Sequence, residues 1–281
     1  MSITGNTDCI GDYFLYNQQA YPVNDFQQDF LTSGKSLYEV IRIIQRKPLF
    51  LEEHLDRLQR SAELSQLDIL PPKNAIVQSM KTLCDINSLV NGNMKLVFRT
   101  LNGNNDYIFF YDCHKYPQAE EYAKGVPVGI HYAERPDPNV KLVNMALRKA
   151  SRQHMQEGGY YEVILVNRNE DITEGSRSNI FFISGKEVFT PPLSEVLPGI
   201  TRQKIIDICE KRHIPLHEQT IPLSSISSFE SAFITATSPK VLPLRSIGNT
   251  IFSVNNPITN TISQDYNKLI EMDLQDFHAW D

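Results

Sequence analysis

Three short stretches of this 281-residue chain carry side chains whose types and settings could do chemistry. Lys141 follows the polar, proline-rich approach "ERPDPN" and has an apolar helix pattern behind it, so the sequence places it at the opening of a helix. A lysine amine is mostly protonated at neutral pH, with an unperturbed pKa of about 10.4, and becomes a nucleophile or base only where burial or a nearby cation lowers that value. Glu174 is a lone carboxylate in "DITEGSRSNIFFI", beyond a polar turn that follows the apolar run ending at Val166. "LPGITRQKII" puts Gly199 and Thr201 at a helix N-terminus, where free amides and the positive dipole end bind a phosphate. Taken singly, each has an ordinary reading. Lys141 is then a solvated first-turn lysine, Glu174 a hairpin carboxylate and Thr201 a cap for its own helix. Arg57 likewise pairs with Glu53 four residues earlier.

The elements that must position these groups fall into two rhythms. In the first third, "YFLYNQQAYPV" reads as a hairpin around Asn17, "SLYEVIRII" as a strand, and "MKLVFRT" and "DYIFFY" as antiparallel strands joined at Asn102-Gly103. Leu51, Leu55, Leu58 and Ala62 mark one face of a helix packed on that sheet. After the polar stretch 116–124 come strand "VPVGIHY", helix "VNMALRKASRQHMQE" stopped at Gly158-Gly159, two apolar strands and helix "TRQKIIDICEKRH". A last helix starts at Pro257, with Ile258, Ile262, Tyr266 and Leu269 on one face. The expected domains are 1–118 and 125–281, joined by a linker at 119–124.

Composition narrows the function. A net charge of −6 with interspersed signs gives no basic stripe for nucleic acid. No stretch approaches the roughly 20 apolar residues of a bilayer span, and the N-terminus lacks the pattern of a signal peptide. Cys9, Cys84, Cys113 and Cys209 have no close pair, which fits a reducing compartment, so a cytoplasmic protein is expected. His213 and His217 flank Pro215, which breaks any helix that would aim both at a metal; they read as loop residues, and no metal site is expected. Glycine-rich phosphate loop, nucleophile elbow and zinc-protease helix are all missing.

In order along the chain, "YEVIRII", "LEEHLDRL", "VKLVN", "EVILVNRNEDITEGSRSNIFFI", "VFTPP", "VLPGITRQKII" and "FITATSPKVLPL" resemble the fold type IV pyridoxal-phosphate enzymes, the class IV aminotransferases. The resemblance runs through nearly the whole chain. It implies a two-domain fold, α+β and α/β, with a smaller N-terminal α+β domain and a larger C-terminal, pseudobarrel-like cofactor domain. By it, Lys141 is the Schiff-base lysine, Glu174 bonds the pyridine nitrogen, and Arg57 holds the phosphate together with the backbone around Ile200 and Thr201 and with Thr237. Arg57 offers a rigid fork suited to a phosphate dianion. The ring is an electron sink that works best with its nitrogen protonated, which Glu174 ensures. A carboxylate at ~4 Å from that nitrogen, at an effective dielectric of about 20, interacts by roughly 4 kcal/mol before desolvation is counted.

The implied reaction moves an amino group between an α-amino acid, branched-chain-like, and a 2-oxo acid. The resemblance also implies a homodimer. Strand alternation puts Tyr38, Val40 and Arg42 on one face of "SLYEVIRII", the face that lines the pocket in the family, and Arg99 on a neighbouring strand is a second candidate for a substrate carboxylate. Departures are visible. Lys35 in "SGKSLYEV" stands where most members carry an acid, and Met145 where branched-chain enzymes carry a tyrosine. "LNGNNDYIFFY" lacks the arginine and histidine of the D-amino-acid enzymes. Aminodeoxychorismate lyase shares the fold and lysine and is the alternative activity, although its arginine-glycine stretch is missing here. A non-catalytic dimeric binding protein is the third reading.

Overall fold

The computed structural model describes residues 8–278 and Trp280. The chain divides into two compact units, one of residues up to Lys115 with Val140–Val143 and those from Ile270 on, the other of Tyr116–Asn139 and Asn144–Leu269.

The first unit holds six antiparallel strands, β1 (Cys9–Tyr16), β2 (Gln19–Pro22), β3 (Lys35–Ile44), β4 (Lys47–Pro48), β5 (Gly92–Leu101) and β6 (Asn104–Asp112), in the order β2-β1-β6-β5-β3-β4. Three of its turns have two residues, both in the left-handed region: Asn17-Gln18, Gln45-Arg46 and Asn102-Gly103. Such turns match the right-handed twist of the strands they join and so fix the register. A one-turn helix, α1 (Asp29–Thr32), is followed by α2 (Leu51–Leu64) and α3 (Lys73–Ile86). Leu55, Leu58 and Ala62 of α2, with Ile76, Met80 and Leu83 of α3, pack on Leu37, Ile41, Ile43, Met94, Leu96 and Phe98 of the sheet. Truncating one of these, such as Leu58→Ala, costs about 2–5 kcal/mol. Helix α3 escapes the sequence reading above, although Ile76, Met80 and Leu83 show the helical spacing. The opposite face of the sheet carries Phe14, Phe26, Val97, Ile108 and Phe110.

The second unit begins with α4 (Ala119–Lys124), so the expected linker is a short helix, closed by a capping box of Gln118 and Glu121. Its strands are β7 (Val126–Tyr132), β8 (Glu162–Val166), β9 (Asp171–Gly175), β10 (Asn179–Ser184), β11 (Glu187–Thr190), β12 (Leu216–Glu218), β13 (Ile221–Pro222), β14 (Ser231–Ala236), β15 (Lys240–Ile247) and β16 (Thr250–Ile251). Their order is β12-β11-β10-β14-β15-β7-β8-β9-β13, with β16 beside β15. Strands β9 and β10 stand five places apart in that order, yet residues 176–178 alone join them. Five strand spacings in a flat sheet are about 24 Å, whereas four chain steps reach about 14 Å, so the sheet must curl. Ile164, Ile172, Ile180, Phe182, Ile234, Leu242 and Leu244 fill the inside of that curl. Helices α5 (Met145–Gly158) and α6 (Ile200–Lys211) belong to this unit, and α7 (Pro257–Asp276) passes from it into the first. On α7 the buried positions are Thr259, Ile262, Tyr266 and Ile270.

Three local expectations change. Lys141 does not open a helix, because Asn144 accepts the Leu147 amide at 3.0 Å and starts α5 at Met145. His217 lies in β12 rather than in a loop. The polar stretch around Glu174 contains a strand of its own, β9, with Ile172, Thr173, Glu174 and Gly175 all buried. Among the described residues, no helix is long and apolar enough to cross a membrane and no group of three or more His, Cys, Asp or Glu side chains could hold a metal.

Candidate active site

In the first unit, the segment Val140–Val143 runs antiparallel to the start of β3. Leu142 bridges Leu37, the Tyr38 amide donates to the Lys141 carbonyl at 3.1 Å, and the Val143 amide donates to the Ser36 carbonyl at 3.0 Å. The Lys141 amide donates to Ser61 Oγ of α2 at 3.3 Å. Strand and helix thus fix the backbone of Lys141, and its half-buried amine lies 4.6 Å from the centroid of the Tyr38 ring.

The alternation expected for β3 is present: Tyr38, Val40 and Arg42 are half-buried on one face, and Leu37, Glu39, Ile41 and Ile43 are buried on the other. A carboxylate on that second face lies within the core, and α2 meets it. His54 and Arg57, three residues apart, share a helix face. Arg57 donates to Glu39 through Nε at 2.8 Å and Nη2 at 2.6 Å, and His54 Nδ1 lies 2.8 Å from Oε2. Arg57 is 4% exposed and pairs with the buried Glu39. Burial alone would push the Glu39 carboxyl up, and the charge and hydrogen bonds of Arg57, aided by His54, overcome this and hold it far below the usual range. Burial, with the charges of Arg57 and Lys141, outweighs Glu39 at His54 and keeps the imidazole pKa below its ordinary value. His54 is therefore neutral at neutral pH and donates through Nδ1.

Arg99 is buried and engaged. It donates from Nε and Nη2 to Asp106 at 3.3 and 3.2 Å, and from Nη1 to the Asp29 carbonyl at 3.0 Å. Four residues earlier on the same face of β5, Lys95 places its ammonium 5.5 Å from the centroid of the Tyr38 ring.

In the second unit, Glu174 is 3% exposed near the end of β9. Its Oε1 accepts from Arg135 Nε at 2.6 Å, and Oε2 accepts from the Leu197 amide at 3.1 Å and from Asn179 Nδ2 at 3.4 Å. The "LPGITR" stretch therefore meets Glu174 through Leu197. Gly199 is the N-cap of α6, and a Cβ there would stand 2.1 Å from Asn179 Oδ1, so only glycine permits this approach. Ile200 and Thr201 form the first turn of α6, and the Thr201 hydroxyl lies 3.1 Å from Tyr266 Oη instead of capping its own helix. Thr237 is half-buried in the turn between β14 and β15, past Thr235, which pairs with Asn179. Glu162, 2% exposed on β8, accepts from Ser176 Oγ at 2.5 Å and so tethers the turn that follows Glu174.

Sequence reasoning missed Glu39, His54, Lys95, Arg135 and Glu162. For Glu39 the signal was its place on the apolar face of β3. Arg135 lies in a stretch with no periodicity and left none.

A lysine, a fixed buried anion, a buried arginine and the N-terminus of a 12-residue helix are the groups that an aldehyde-bearing phosphate ester with a basic ring nitrogen requires. The model of the amino-transferase class IV family matches residues 36–247, most of the chain and every one of these groups. The chain belongs to this family. Class IV aminotransferases use pyridoxal 5'-phosphate. D-alanine aminotransferase of Bacillus licheniformis is 28% identical over 244 residues, covering 82% of this chain and 85% of that protein. A probable branched-chain-amino-acid aminotransferase of Thermotoga maritima is 26% identical, covering 88% and 92%. The solved branched-chain amino acid aminotransferase of Escherichia coli aligns with a TM-score of 0.80 at 22% identity over 96% of this chain and 98% of that one. These enzymes share the class IV, fold type IV architecture, which is that of this chain.

Proposed function

We propose that the protein is a pyridoxal-phosphate-dependent aminotransferase that moves an amino group between an α-amino acid, branched-chain-like, and a 2-oxo acid. The observation that carries this is Glu174: a carboxylate buried on a strand, with an arginine at 2.6 Å on one oxygen and a backbone amide on the other, in the motif where the family keeps the partner of the ring nitrogen. When bound, the cofactor supplies a sink for the electron pair left as the substrate α-proton departs. Lys141 would hold the cofactor at rest, and its amine, once freed, would serve as the base that takes the proton from the substrate α-carbon. Glu174 keeps a proton on the ring nitrogen. Arg57, the amides at Ile200 and Thr201, and Thr237 take the phosphate. Because Glu39 orients the Arg57 fork, the phosphate meets a guanidinium already fixed in place.

On the substrate side, Tyr38 and Val40 offer an apolar face beside Lys141, which supports a branched aliphatic side chain. Arg42 and Arg99 are the candidate partners for the substrate carboxylate, Arg99 already being paired with Asp106. A homodimer and a cytoplasmic setting complete the reading; the free cysteines support the latter.

The test is a half-reaction. A suitable amino acid alone should convert the bound cofactor with one equivalent per site and stop, and a 2-oxo acid should restore the starting absorbance. Sustained pyruvate release from aminodeoxychorismate, with no conversion by amino acids of either hand, would replace this reading with the lyase. Lys141→Ala should abolish both behaviours.

A further inference from the structure

We propose that Arg135 is a positioning residue for Glu174, holding its carboxylate ionised and in one orientation so that the proton stays on the cofactor's ring nitrogen. The inference rests on the role given to Glu174 above. Arg135 lies in the loop after β7. Its Nε donates to Glu174 Oε1 at 2.6 Å and its Nη2 to the Ser176 carbonyl at 2.6 Å, so one guanidinium grips both the carboxylate and the turn that follows it. The other oxygen is held from two further segments, by the Leu197 amide before α6 and by Asn179 at the start of β10. Asn179 also donates to the Leu197 carbonyl at 3.0 Å, which ties those two segments together.

The side chain of Glu174 is 4% exposed and that of Arg135 is 17% exposed, so the pair is largely removed from water. A carboxylate this buried gains proton affinity from desolvation alone, while an adjacent cation takes it away. Facing a ring nitrogen that also wants the proton, the carboxylate is a donor's partner while it stays ionised and a competitor once it does not. Arg135 decides between these states.

The experiment loads the holoenzyme with ring-15N pyridoxal phosphate and reads the nitrogen resonance at neutral pH, where protonated and neutral rings are far apart. In the wild type it should sit at the protonated position. Arg135→Gln removes the charge but keeps a hydrogen-bond donor. It should move the resonance toward the neutral position, because losing an adjacent opposite charge shifts the proton-sharing equilibrium by roughly 10- to 1,000-fold. The same variant should lower kcat in parallel with little change in KM. Arg135→Lys, which keeps the charge, should hold the resonance at the wild-type position. A folded, loaded Arg135→Gln variant with the wild-type resonance overturns the proposal. If that variant does not fold, the lysine variant decides: a neutral-ring resonance there overturns the proposal equally. Failure of the underlying reading looks different, since Glu174→Gln would then leave the resonance unmoved whatever residue stands at 135.

Discussion

Each unit buries a carboxylate on a strand and sets an arginine against it, but the two are built differently. Glu39 takes two bonds from Arg57 and one from His54, all side chains of a single helix, and its own side chain is fully buried. Glu174 is met by an arginine side chain, a backbone amide and a side-chain amide that come from three separate segments. The first arrangement is fixed by helix-on-sheet packing, so its geometry moves only if the layer moves. The second combines two strands, β9 with Glu174 and β10 with Asn179, with Arg135 and Leu197 from segments between regular elements, which are not bound to one packed layer. On the proposed function, the first cluster should therefore act mainly on stability and orientation and the second on chemistry.

The comparison breaks most sharply at Glu39. Glu39→Gln leaves Arg57 buried without its counter-charge and should destabilise the protein by about 3–5 kcal/mol in urea unfolding. A cost below about 1 kcal/mol would mean that the pair is not a structural fixture. Glu174→Gln should do the reverse. Its neutral amide cannot hold the ring proton, and kcat should fall by about 10²–10³, or roughly 2.7–4 kcal/mol, the range seen when a preorganised electrostatic group is removed. Its unfolding midpoint should move far less than that of Glu39→Gln. Equal stability losses in the two variants would erase the distinction.

Part of this contrast was legible in the sequence. The alternation in "SLYEVIRII" put Glu39 with Leu37 and Ile41, and a carboxylate on an apolar face demands a buried cation; His54 and Arg57, one helix turn apart, were the available partners. Two-residue turns such as Asn102-Gly103 fix the first sheet locally, so its strands could be read off the chain. The second unit's pairings are long-range. Strand β9 has one strongly apolar residue, Ile172, and is buried because its neighbours in the curled sheet cover Thr173 and Glu174. The ionic partner of Glu174 lies 39 residues away in a proline-rich loop, where neither period nor spacing points to it. The start of α5 differs from the sequence expectation for a local reason. Asn144 is a good N-cap, and its bond to Leu147 outweighs the continuous pattern that runs back to Lys141.

Acid sharpens the comparison further, because the first cluster contains a histidine and the second does not. The folded-state pKa of His54 lies below its ordinary value of 6.5, so the unfolded chain binds the proton first. Its contribution to stability is complete above about pH 6.5 and is lost as the pH falls from there toward the folded value, at up to about 1.4 kcal/mol per pH unit. Glu39, whose folded pKa is also depressed, adds to the slope only below its ordinary value of 4.5. Between pH 6.5 and 5, unfolding free energies of wild type and His54→Gln should therefore diverge in slope, the variant being flatter. Parallel curves would remove His54 as the source.

The smallest effect tests how the first cluster is held. Helix α2 carries both His54 and Arg57, yet it begins without a side-chain cap of its own, at Phe50 in the left-handed region with φ of 52°. The Phe50 amide instead donates to Asp273 Oδ2 at 2.8 Å, and Lys47 Nζ donates to the Leu274 carbonyl at 2.7 Å, both on α7 more than two hundred residues along the chain. A carboxylate at a helix start satisfies an orphan amide and meets the positive dipole end, which together are worth about 1 kcal/mol. Asp273→Ala should lower stability by about that amount. It should also loosen the first turn of α2, which carries His54, so amide exchange there should quicken while exchange in β9 stays as it was. Cofactor affinity should weaken slightly through Arg57, one turn farther on, and turnover of the loaded enzyme should not change. Faster exchange in both places would show that the two carboxylate clusters are coupled through the last helix, against the independence argued from their construction.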